Sequence, residues 1–214
     1  MLQVSLRSVL IDTNNPTSAS SKARAKRWER FNASFPDLAS ARVLDLGGTP
    51  AYWRTAPIRP AAVTTVNLKA PDVAEPWITT VAADACTYDG TGFDLVVSNS
   101  LLEHLGGAAR RQQFSKVVHG AAPRFWIQTP YRYFPVEPHW LFPGFQFLPL
   151  PARVAITRRW KHGHCYQPDP RKALKLVLEV ELVGITEMTA LFPEAELWRE
   201  RAGGLTKSLV SIRS

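Results

Sequence analysis

Apolar residues fall along this chain in two rhythms. One is a short, nearly unbroken run of β-branched, leucine and other apolar residues, as in Ala41–Leu46, Ala62–Leu68, Ile78–Ala82, Phe93–Ser98 and Arg124–Gln128. Runs of this length and composition are those of strands buried on both faces of a parallel sheet. The other rhythm is helical. Phe114, Val117 and Val118 cluster within Ala108–His119, and Trp28 sits in a basic helical stretch from about Ser21 to Phe31. Thr49-Pro50 reads as a further helix start, since threonine can cap and proline suits the first helical position. Strands alternating with helices predict an α/β fold built on a doubly wound, mostly parallel sheet.

The alternation breaks at Thr129. Residues 130–168 are rich in proline and aromatics and show no regular period, which predicts a functional lid inserted into the fold. Regularity returns with a helix at Pro170–Glu179, a strand near Glu181–Thr189, a short helix around Glu194–Arg199 and a last strand at Leu205–Ile212. The turn Arg201-Ala-Gly-Gly204 predicts that this last strand runs antiparallel at one side of a seven-stranded sheet. The organisation expected is an N-terminal loop (13–21) and basic helix over 1–40, then one domain over 41–214 that contains the lid.

Composition narrows the class. A chain of 214 residues with 45% hydrophobic and 21% charged residues is an ordinary globular protein with room for one core and an insertion. The start, Met1–Asn15, lacks the pattern of a signal peptide, and no apolar run is long enough to span a membrane. The two cysteines, Cys86 and Cys165, stand far apart, so a reducing cytoplasm is expected. The net charge of +8 raises nucleic acid as a partner. The basic residues cluster at 22–30, 153–161 and 171–175, but the lid's aromatics are bunched among prolines and apolar residues. That suits a closed pocket better than an open groove, so solvated surface is the expectation and nucleic acid is not.

The strand ends carry the chemistry. Val43-Leu-Asp-Leu-Gly-Gly48 runs from an apolar strand through an acid into paired glycines, the way a doubly wound fold builds a nucleoside site at its first strand. Asp45 would repel a pyrophosphate but suits a ligand with an amino group and a sulfonium. That favours S-adenosylmethionine (SAM) over a dinucleotide. Gly47 and Gly48 can let backbone approach a ligand closely. Asn67, 22 residues beyond Asp45, stands where a strand end meets ribose hydroxyls. Asp84 follows strand 3, and Ser98-Asn-Ser-Leu-Leu-Glu-His-Leu105 follows strand 4.

Taken in order, Val43–Gly48, Ala83-Asp-Ala85 and Phe93–Leu105 resemble the class I SAM-dependent methyltransferases, in particular their type 11 branch. The resemblance runs from about Ala41 to the C-terminus. It implies a Rossmann-like methyltransferase fold and SAM as cofactor. It places Asp45, Gly47 and Gly48 at the methionine end, Asn67 at the ribose, Asp84 and Ala85 at the adenine, and Asn99 or Ser100 nearest the methyl group. Two positions depart from the pattern: Thr49 stands where a third glycine is usual, and Asn67 replaces the usual ribose acid.

SAM brings its own electrophile, so the protein has to orient an acceptor and take up its proton. The lid offers Tyr131, Tyr133, His139, Trp140 and His164 for a small-molecule acceptor. Thr129–Trp140 resembles a segment that follows strand 5 in the same branch. His139 is the first candidate for the base, with a structural loop role as its alternative, and His104 is the second. Glu103 is a weaker candidate. His162-Gly-His164-Cys165, with His139, suggests zinc, but the ligand spacing is poor and no metal is expected. The acceptor atom expected is oxygen, in a phenol, sugar or carboxylate. The alternatives are a lipid-linked or nucleic-acid substrate, or a non-catalytic module of the same fold. The apolar Trp140–Leu150 ahead of Arg153, Arg158, Arg159 and Lys161 leaves peripheral membrane contact open.

Overall fold

In a computed structural model the chain is described from residue 19 onward, and its side chains from residue 23. The reading of Met1–Asn15 and most of the loop expected at 13–21 lie outside these residues. Helix α1 spans Ala19–Ser34 and a short 3-10 turn leads into strand β1, Arg42–Leu46. There follow α2 (Pro50–Arg54), β2 (Ala62–Asn67), β3 (Ile78–Ala82), β4 (Leu95–Asn99), α3 (Ala108–Ala121) and β5 (Phe125–Pro130). The lid carries a two-stranded pair, β6 (Val136–Glu137) with β7 (Phe142–Pro143), and helix α4, Leu150–Arg159. The chain ends with α5 (Pro170–Leu178), α6 (Ile185–Leu191), β8 (Glu196–Ala202) and β9 (Leu205–Arg213).

Seven strands form one sheet in the order β3-β2-β1-β4-β5-β9-β8. The first five are parallel, while β9 runs antiparallel to β5 and β8 antiparallel to β9. This is the doubly wound, mostly parallel α/β architecture expected from the sequence. The period of two along each strand sorts the side chains into two cores. Val43, Val97 and Trp126 face α1, where Trp28 and Phe31 meet them, with Phe35 just beyond its end. Leu44, Val96 and Ile127 face Phe114 and Val118 of α3 and Met188 of α6. Asp45 shares its parity with Val43, and Asn99 with Val97, so both polar residues emerge on the α1 side at the carboxyl edge of adjacent strands.

Three expectations need correction. Residues 181–189 are not a sheet strand. Val183 makes a lone parallel bridge to Tyr131, and Gly184 then starts α6, whose buried Met188 and Leu191 stand at helical spacing. Residues 194–199 are not a helix. They enter β8, where Trp198 packs on Trp126 at 5.9 Å and tertiary pairing overrides the helix-forming glutamates and alanine. The lid is not structureless either: Trp140, Phe145 and Val177 form a third core that ties it to α5. The expected hairpin turn joins β8 to the antiparallel β9, with Gly203 and Gly204 at φ 57° and 83°. Charge pins the two ends of the chain together, because Arg27 of α1 grips the buried Glu200 of β8 with a 2.7 Å ion pair.

Candidate functional site

The carboxyl edge of the parallel strands gathers the residues singled out from the sequence. Asp45 is 1% exposed, and its Oδ2 accepts a 2.7 Å hydrogen bond from the Trp53 indole of α2. Its Oδ1 is buried without a partner, and so is the Oδ1 of Asn99. Desolvation pushes the Asp45 carboxyl up to about 7, although the Trp53 bond opposes the shift. Tyr52 lies close by, stacked on Trp28 at 4.9 Å. Burial first, and then the charge of Asp45, raise the pKa of its phenol.

The glycines are needed at both positions. Gly47 has φ 80°, with the Leu101 side chain 2.8 Å from where a Cβ would stand. A Cβ on Gly48 would fall 1.7 Å from Asp45 Oδ2. The turn is thus a cradle that only glycine permits. Helix α2 is a single turn: Pro50 takes its first position as expected, but the Thr49 side chain makes no capping bond.

Asn67, Asp84, Ala85 and His104 line one cleft of about 170 Å³ together with Gly47, Leu101 and Arg110. Two of these side chains are already engaged. Asn67 donates to the Gly47 carbonyl at 3.3 Å and accepts from the Leu68 amide. Asp84 accepts from the Cys86 amide, which together with the Arg110 guanidinium at 2.7 Å holds its carboxyl below the usual range. Ala85 is buried. Ser100 adopts a left-handed φ of 53°, and its hydroxyl reaches Gln128 on β5 at 3.2 Å.

Above the cleft, His104 and His139 meet through their Nε2 atoms, 3.1 Å apart. His139 Nδ1 lies 2.7 Å from Glu137, which is buried and also accepts the amides of His139 and Trp140. Burial opposes charge on His139, but the Glu137 bond and charge outweigh it and raise the pKa. Burial, then the charge of His139, lower that of His104. Glu103 is fully buried, with Oε2 bonded to Thr129 at 2.9 Å, Oε1 unpartnered and its pKa pushed up by burial to about 7.

In the lid, Tyr131 and Tyr133 lie edge to face at 5.6 Å, and the exposed Tyr133 stacks on Phe147 at 5.9 Å. Trp140 is buried, stacked on Phe145 at 4.1 Å and bonded to Thr157. It also lines a lid cavity of about 180 Å³ with Arg132, Gln146 and Arg153. His164 is exposed and meets His139 through its backbone, donating to that carbonyl at 2.8 Å. Sequence reasoning missed Tyr52, Trp53 and Arg110, which act through folding alone; Glu137 was legible as part of Glu137-Pro-His139, the loop-fixing alternative for His139.

No family model matches the sequence, and no curated protein sequence matches it. Solved structures do match. The N-methyltransferase NodS from Bradyrhizobium japonicum WM9 aligns with TM-score 0.51 at 15% identity, over 90% of this chain and 96% of that one. The same protein in complex with S-adenosylhomocysteine aligns over 91% and 86%, again with TM-score 0.51 and 15% identity. The magnesium protoporphyrin IX methyltransferase (ChlM) from Synechocystis PCC 6803 with bound SAM gives TM-score 0.50 at 10% identity, over 91% and 82%. At these identities the likeness shows the fold: the chain has the Rossmann-like fold of these methyltransferases.

Proposed function

We propose that this chain is a SAM-dependent methyltransferase of the type 11 branch that methylates an oxygen of a small molecule. The observation that carries the reading is the pair of buried, unpartnered acceptors, Asp45 Oδ1 and Asn99 Oδ1, beside a glycine cradle. Two orphaned acceptors at the carboxyl edge of adjacent strands fit an amino group that donates to both. Solved proteins of the same fold hold SAM or S-adenosylhomocysteine.

SAM, when bound, supplies an activated methyl group together with its leaving group. Asp45 in its ionised form and Asn99 hold the amino end, and Gly47 and Gly48 let the backbone come close. Ala85 and the Arg110-fixed Asp84 shape the adenine side, Asn67 braces the turn at the ribose, and Ser100 stands nearest the methyl group. On the acceptor side, Tyr131 and Tyr133 offer aromatic surface, and Trp140 and His164 set the shape of the lid. The His104–His139–Glu137 chain takes up the acceptor's proton, Glu137 orienting His139 and favouring its charged form. The free thiols of Cys86 and Cys165 suit a reducing cytoplasm.

The test is S-adenosylhomocysteine release from SAM over a panel of phenols, sugars, carboxylates and amines. Turnover on an oxygen acceptor, reduced by His139→Gln, supports the proposal. Turnover on amines alone overturns the choice of atom. A second reading, a non-catalytic module, is favoured by the engaged side chains of Asn67 and Asp84, and it predicts neither turnover nor ligand binding. A lipid-linked acceptor is favoured by the exposed, stacked Tyr133 and Phe147, and liposome co-sedimentation tests it. Among the described residues no helix is long and apolar enough to cross a membrane.

A further inference from the structure

Glu103 and His104 follow β4 and His139 lies in the lid, yet their ligand-type atoms all fall within 4.8 Å of one another. The two imidazoles face each other at 90° through Nε2 atoms 3.1 Å apart. Two nitrogens that both bond one tetrahedral ion at about 2.0–2.1 Å stand about 3.3 Å apart, so only a small opening of this pair would admit an ion. Two of the three groups are held from behind. Glu137 grips His139 Nδ1, and Thr129 binds Glu103 Oε2. A carboxylate or carbonyl on the far side of a histidine is the usual support behind a metal ligand. Glu103 Oε1 is buried and has no partner.

We propose that Glu103, His104 and His139 form a site for a divalent first-row transition ion, Zn²⁺ foremost, with open positions toward the cleft that His104 lines. Two imidazoles and one carboxylate form the donor set of an open zinc site, and imidazole disfavours Mg²⁺ and Ca²⁺. Of the residues that suggested zinc in the sequence, only His139 belongs to this cluster; His162 packs edge-on against Trp160 at 4.7 Å. Binding of the ion is independent of the methyl-transfer reading; only its use rests on that reading. An acceptor oxygen that replaced water on the ion would lose its proton to solvent and keep the electron pair. The two histidines would then act as ligands, and the ion would do the work assigned above to a base.

The test is calorimetric titration of zinc chloride into the tag-free, chelator-stripped chain without any nucleoside ligand. One equivalent should bind at micromolar Kd or tighter. His104→Ala, His139→Ala and Glu103→Gln should each weaken binding by at least about tenfold, and Glu137→Gln by about tenfold. His162→Ala should bind as the wild type does. Saturating zinc should also raise the unfolding midpoint of the wild type but not of His104→Gln, a conservative variant checked for folding by circular dichroism. No uptake below millimolar zinc, undiminished uptake by the His104 and His139 variants, or loss in His162→Ala would each overturn the site. S-adenosylhomocysteine titrated into the metal-free protein separates this outcome from failure of the methyltransferase reading.

Discussion

Replacing Asp45 with asparagine should make the protein's stability less sensitive to rising pH. The folded chain holds the Asp45 proton up to about pH 7, whereas a free carboxyl loses it near 3.8. The group's contribution is therefore intact below about pH 4 and is lost as pH rises through 7, because the folded state keeps a proton that the unfolded chain gives up. Asparagine does not titrate and still offers Trp53 an acceptor. Between pH 5 and pH 8 the wild type should lose about 2–3 kcal/mol relative to Asp45→Asn. Urea unfolding of both proteins at matched ionic strength across this range measures the difference. Parallel curves would refute the buried, unsatisfied carboxyl. The same shift ties stability to binding. An amino ligand selects the ionised form, so S-adenosylhomocysteine affinity should fall about tenfold from pH 8 to pH 6 in the wild type, and far less in the variant.

Other perturbations test the parts in turn. Gly48→Ala forces a methyl into the Asp45 carboxylate and should cost about 1–3 kcal/mol, read as a lower unfolding midpoint together with weakened ligand binding. Arg27→Ala strands the buried Glu200 and should cost about 3 kcal/mol; pairing it with Glu200→Leu should recover much of that in denaturant titrations. Trp140→Ala removes the centre of the lid core and should cost about 3–5 kcal/mol, with faster proteolysis within residues 130–168.

The parallel strands were legible because each is a buried run with few competing interpretations, and β1 to β3 begin and end within a residue of the expected bounds. The C-terminal third was harder. Residues 181–199 mix β-branched and charged residues evenly, and only pairing with β9 and packing of Met188 and Leu191 under the sheet decide which part is strand and which helix. In the site, Asp45 and the glycines were visible because a strand end followed by such a turn has few other uses. The engagement of Asn67 by Gly47, and of Asp84 by Arg110, was not visible. Both depend on residues brought together by folding, Arg110 from a helix 26 positions away. The Glu103–His104–His139 cluster was hidden for the same reason: its members come from two segments, and the local His-Gly-His-Cys pattern drew attention elsewhere.

The most direct measurement is calorimetric titration of S-adenosylhomocysteine into the wild-type chain at pH 8. One-to-one binding at micromolar Kd, lost in Asp45→Ala and weakened in Asn99→Ala, is what the orphaned acceptors require. No heat of binding at millimolar ligand, or binding equally strong in both variants, would contradict the proposed site.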